Sequence, residues 1–164
     1  MDAPRVVREA RACQRRRLPR APAAVLWGAD MHRRLIWHGF LLFVVSLLVG
    51  LAVPSFANPR MGLSAHVGGL MSGLFLIGLG AVWGALEVTR GRAAAIYWLA
   101  LYGMWAGTIA LVLAASFGTG SLTPIAGAGR AGLPWQEALV VLTLVPSAVA
   151  AVACCVLVLL ALRE

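Results

Sequence analysis

Two histidines, His38 and His66, lie in long apolar stretches that contain no other ionisable side chain. An ionisable ring is costly to keep in lipid, so within a span it marks a candidate for function. Gly62, Gly69, Gly73, Gly80 and Gly84 recur at spacings of 7, 4, 7 and 4 around His66. At 3.6 residues per turn they fall on one narrow helix face. His66 is four residues after Gly62 and seven before Gly73, so it shares that face. Two chemistries fit the pattern. Gly69/Gly73 and Gly80/Gly84 are small-xxx-small pairs that let helix backbones approach closely in lipid, with His66 hydrogen-bonded to a neighbouring helix. Alternatively, a strip of bare backbone with an imidazole at one end holds a flat ligand. A haem would fit such a groove, resting on Gly69 and Gly73 with His66 as the axial ligand of its iron.

His38 comes early in the first apolar run and His66 early in the second. If those runs are antiparallel helices, the two rings start near opposite membrane faces, roughly 20 Å apart at 1.5 Å per residue. They cannot share one iron within a subunit. His38 is expected to bond a neighbouring helix, and His32 to sit in solvent or among headgroups. Trp98, Tyr102 and Trp105 occur at i, i+4 and i+7, one aromatic face of a helix. Packing or an interfacial belt explains such a face. Tyr102 lies deep for a belt residue, however, and a buried phenol needs a hydrogen-bond partner. An aromatic wall with one hydroxyl suits a small aromatic substrate that partitions into lipid.

The elements that must position these residues are plain. Leu35–Phe56, Met61–Leu86, Ala93–Phe117 and Ala138–Leu162 are apolar runs, each longer than the roughly 20 residues a helix needs to cross a bilayer. Of the 164 residues, 61% are hydrophobic and 12% charged, and mean hydropathy is +0.87. That composition excludes a water-soluble globule. It predicts an all-α, integral membrane protein, a bundle of four transmembrane helices.

The net charge of +8 comes without a single Lys. Nine of the 14 basic residues lie between Arg5 and Arg34, ahead of the first span. A leader of this kind rests on an anionic membrane leaflet, not on nucleic acid. Residues 1–30 are expected to be a basic, mobile arm and 31–164 the membrane domain. Arg90, Arg92 and Arg163 fall on the same side as the leader, while Arg60 and Arg130 fall on the other. The positive-inside rule then puts both termini in the cytoplasm, as in a bacterial inner membrane. The first outer connection, Ala57–Arg60, makes a tight hairpin, and the last, Gly118–Glu137, is long enough for a lid or a disordered loop. Gly127–Gly132 matches G-x-G-x-x-G but follows no strand, so it is not a nucleotide motif. Cys13, Cys154 and Cys155 show no metal or disulfide spacing and read as small packing residues. No span carries a central carboxylate, which weighs against a proton-coupled exporter.

Longer strings carry a resemblance. Arg34-Leu35-Ile36-Trp37-His38-Gly39 and Asn58-Pro59-Arg60-Met61-Gly62-Leu63-Ser64-Ala65-His66-Val67-Gly68-Gly69-Leu70-Met71-Ser72-Gly73 are similar to hydroxylaminobenzene mutase. Tyr97–Gly103 and Leu122-Thr123-Pro124-Ile125-Ala126 continue the match, which covers residues 31–164 and omits the leader. The His-Gly and Ala-His elements also resemble styrene oxide isomerase. The resemblance implies a membrane isomerase that converts hydroxylaminobenzene to 2-aminophenol. It implies ferric haem b between the subunits of a homotrimer, with His66 as axial ligand and Tyr102 as a polar active-site residue. Ser72 stands where the family usually has Asn. It can donate one hydrogen bond but lacks the amide's reach, and it lies about 120° around the helix from His66.

On that basis ferric iron acts as a Lewis acid on the hydroxylamine oxygen, the aromatic wall stabilises positive charge on the ring, and bulk water is kept out. Two other classes remain compatible with the residues. One is a b-type haem subunit that passes electrons to a quinone. The other is a small transporter or structural membrane protein without haem.

Overall fold

The computed structural model describes residues 23–163. The helices are α1 (Ala23–Leu51), α2 (Pro59–Val82), α3 (Arg90–Phe117), the single turn α4 (Pro124–Gly127) and α5 (Pro134–Ala161). Short 3₁₀ turns at Val53–Ser55 and Trp83–Ala85 follow α1 and α2. Among the described residues there is no strand. Four of the helices are long and apolar enough to cross a membrane, as the sequence predicts. The expected arm falls mostly on residues 1–22, which lie outside the described residues. Residues 23–30 are already the first turns of α1, so the helix starts well before the first apolar run.

Local chemistry sets the ends. α1 stops ahead of Pro54, which cannot continue the ladder. At α2, Asn58 is the N-cap, its Oδ1 accepting from Met61 N at 3.2 Å, and Pro59 takes the first helical position. α3 ends on Gly118, whose φ of 70° is the left-handed conformation of a glycine stop.

α1 and α2 form an antiparallel hairpin and pack along most of their length, α3 lies against α2, and α5 packs chiefly on α3. Leu35 and Leu42 of α1, Leu76 of α2, Ile96 and Ala100 of α3 and Cys154 of α5 are fully buried in one cluster. Cys154 also donates from Sγ to the Ile96 carbonyl at 3.6 Å. The packing role expected of the cysteines holds for Cys154, whereas Cys155 is exposed and Cys13 lies outside the described residues.

The hairpin closes on small residues from both helices. Gly39, Ser46 and Gly50 of α1 repeat at 7 and 4, and Gly69, Gly73 and Gly80 of α2 at 4 and 7. Antiparallel, the two rhythms meet. A Cβ on Gly73 would sit 2.8 Å from the Gly39 carbonyl oxygen, and one on Gly69 would strike Ser46 Oγ. A Cβ on Gly80 would lie 2.7 Å from Ile36 Cγ1. Of the two readings of the glycine face, helix packing is the one seen within the chain, and the cofactor groove on Gly69 and Gly73 is corrected: α1 fills the face and buries both glycines.

Each end of the hairpin carries a histidine contact to the other helix. His32 donates from Nδ1 to the Gly80 carbonyl at 2.7 Å, a contact added to the exposed position expected for it.

The long connection is an ordered cap, not a loose loop. Glu137 Oε1 accepts from Gly120 N at 3.1 Å and Gly132 N at 2.9 Å. Its Oε2 accepts from Ser121 N at 3.2 Å and Ser121 Oγ at 2.5 Å. Asn58 Nδ2 donates to the Ala126 and Gly127 carbonyls at 3.0 and 3.1 Å, and Arg130 donates to Ala57 O. The G-x-G-x-x-G stretch thus serves loop closure, with Gly127 packed on Gly120.

Candidate functional site

His66 sits two turns into α2, beside the C-terminal turns of α1. Its Nδ1 lies 2.7 Å from the Ser46 carbonyl oxygen. A carbonyl can only accept, so Nδ1 carries the proton. In the neutral ring Nε2 then holds the lone pair. Such a nitrogen can accept a proton or ligate a metal. The ring lines a groove of about 500 Å³ with Leu47, Gly50, Leu51, Pro54 and Leu63. The walls are almost wholly aliphatic, and the groove opens on the flank of the bundle. Among the described residues no three His, Cys, Asp or Glu side chains cluster as a metal site.

Tyr102 and Ser72 do not line this groove. A Cβ on Gly68 would meet Leu111, and one on Gly69 would meet Thr108. His66 is therefore level with about residue 112 of α3, some ten residues or about 15 Å along the axis from Tyr102. Tyr102 is 48% exposed and Trp98 is 66% exposed, so two of the three residues of the aromatic face predicted for α3 point outward, while Trp105 turns in against the core. Trp98 lines a smaller cavity, of about 340 Å³, with Asp30, Met31, Arg34 and Tyr97 at the opposite end of the bundle. Ser72 is half-buried two turns beyond His66.

His38 is separated from His66 as expected. His66 contacts Gly50, which is twelve residues from His38, about 18 Å along the helix. The expectation that His38 bonds a neighbouring helix is not met at Nδ1, which is buried without a partner. The ring packs edge-on against Trp37 and Trp105, with centroids 5.0 and 6.4 Å away.

Sequence reasoning missed Ser46 and Gly50, the two residues of α1 that hold the His66 ring. Their signal was the 7-and-4 spacing shared with α2, which shows only once the helices are paired. It also missed Glu137 as the knot of the loop cap.

An apolar groove with one oriented imidazole, set among four helices long and apolar enough to cross a membrane, is the candidate site of a membrane protein built on a single histidine. The family model for styrene oxide isomerase matches residues 31–163, and the chain belongs to that family. It is 38% identical over 137 residues to hydroxylaminobenzene mutase HabB of Ectopseudomonas oleovorans, covering 83% of this chain and 84% of that protein. It is 37% identical over 125 residues to hydroxylaminobenzene mutase HabA of the same organism, covering 74% of this chain and 93% of that protein. No solved structure matches the chain. The protein is a membrane isomerase.

Proposed function

We propose that this chain rearranges hydroxylaminobenzene, and arylhydroxylamines like it, to 2-aminophenols, with a ferric haem b held by His66. The observation that carries the reading is the state of His66: its Nδ1–H is committed to the Ser46 carbonyl, and its ring lines an apolar groove. A ligating histidine characteristically donates its other N–H to a carbonyl, which fixes the tautomer and makes the lone pair more basic. A porphyrin brings four donors of its own, so one axial imidazole suffices. Leu47, Leu51 and Leu63 suit the flanks of a macrocycle. When bound, ferric haem supplies Lewis acidity toward the hydroxylamine oxygen.

The reaction balances as an isomerisation. The N–O bond breaks and a C–O bond forms at the ortho carbon. The ortho hydrogen leaves as a proton and the nitrogen takes one up. No oxidant or reductant is consumed. Aliphatic groove walls exclude water that would otherwise capture a ring cation. The Tyr102 hydroxyl donates a hydrogen bond to the migrating oxygen or to the nitrogen, and Ser72 offers a weaker second donor. Neither lines the His66 groove in one chain, and a copy related by rotation about the membrane normal keeps its Tyr102 about 15 Å from the depth of His66, so these two roles rest on the resemblance alone. The outward Trp98–Tyr102 face leaves the phenol open to a neighbouring molecule. The Arg distribution supports a bacterial inner membrane location with both termini in the cytoplasm.

The test is to purify the protein in detergent, record its absorption spectrum and assay 2-aminophenol. A Soret band and product formation, both lost in His66→Ala, are the expected result. Product from a colourless protein would remove the haem, and absence of product would remove the reaction.

A further inference from the structure

We infer that Gly50 is a positioning residue for His66, acting by baring the Ser46 carbonyl to the imidazole. This rests on the reading of His66 as the functional ligand. In an α-helix the Cβ of residue i+4 leans toward the helix N-terminus, over the carbonyl of residue i. Residue 50 therefore guards the carbonyl of residue 46, and glycine leaves it open from the side. The contacts agree. A Cβ on Gly50 would lie 2.5 Å from His66 Nδ1, 2.6 Å from Cε1 and 3.1 Å from Cγ. These are three atoms of one rigid ring, so room is made only by moving the whole imidazole. Any larger residue at 50 must expel the imidazole from the position in which Nδ1–H reaches Ser46 O at 2.7 Å.

Ser46 contributes its main chain only. Its hydroxyl donates to the Leu42 carbonyl at 2.7 Å and does not compete for the ring. The consequence is an asymmetry between neighbours on one helix face. Ser46→Ala keeps the His66 tautomer, and Gly50→Ala loses it. Once freed, His66 can protonate at either nitrogen, and its lone pair no longer has a fixed direction.

The experiment uses the full-length chain labelled with [15N]histidine, in detergent, reduced under carbon monoxide where haem is present so that the sample is diamagnetic. His66 resonances are assigned by their loss in His66→Gln. The expected result is a protonated Nδ1 in the native chain and in Ser46→Ala, and loss of that signal in Gly50→Ala. An Nε2-protonated His66 in the native chain overturns the inference. So does a Gly50→Ala spectrum that matches the native one. If Gly50→Ala does not fold, the native and Ser46→Ala spectra still decide. The tautomer is read with or without haem. A colourless protein with the expected pattern therefore defeats the haem reading and leaves the positioning role standing.

Discussion

His32 on α1 donates to the Gly80 carbonyl of α2, and its distance of 2.7 Å equals that of His66 on α2 to the Ser46 carbonyl of α1. The two contacts run in opposite directions across one helix pair, one near each end. Only His66 lines the outer groove. The same bond is thus a staple at one end and, at the other, fixes a ring that lines the groove.

Removing the staple should cost stability and nothing else. His32→Ala is expected to lower the hairpin's stability by about 1 kcal/mol, the usual worth of one interhelical hydrogen bond. Thermal unfolding in detergent should shift by a few degrees, with 2-aminophenol formation unchanged.

The glycines of α2 should divide by what faces them. Gly73→Val places a Cβ 2.8 Å from Gly39 O and 3.0 Å from Phe43 N. Both are backbone atoms, so the helices must part, at a cost of about 1–3 kcal/mol. A Cβ on Gly78 meets nothing within 4 Å. Gly78→Ala should be neutral or stabilising by up to about 1 kcal/mol through helix propensity. Unfolding midpoints of the two variants are the measurement.

Glu137 should govern the cap formed by the long connection. Glu137→Ala leaves Gly120 N, Gly132 N and both donors of Ser121 without their acceptor. The segment around Arg130 should then open, and limited trypsin digestion should cleave after Arg130 several-fold faster than in the native chain.

Tyr102→Phe removes one hydroxyl and little volume. A phenol that hydrogen-bonds the reacting atoms contributes through proton positioning, typically a hundredfold or more in rate. The expected result is a fall in kcat of about that size with the absorption spectrum unchanged. An unaltered kcat would take Tyr102 out of the reaction.

Hydrophobicity made the four spans legible, because lipid requires about 20 apolar residues in a row. His66 was legible for the related reason that an ionisable ring stands out in such a run. The glycine face was legible as a face, but its occupant was not. Close packing and ligand binding both require missing side chains, and only the register of α1 against α2 separates them. Gly50 was invisible for the same reason: its importance lies in the carbonyl four residues earlier and in a ring on another helix. The cap was missed because one carboxylate at a helix start gathers donors from a loop whose course no periodicity reveals.

The groove beside His66 is flanked by the exposed Leu47, Leu51 and Leu63, while the loop at that end of the bundle is closed by the Asn58 and Glu137 contacts. A reactant that dissolves in hydrocarbon would arrive by lateral diffusion in two dimensions, already concentrated by partitioning. Turnover measured against its aqueous concentration would then depend on how much bilayer or detergent the assay contains, and apparent affinities from different preparations become comparable only after correction for that phase.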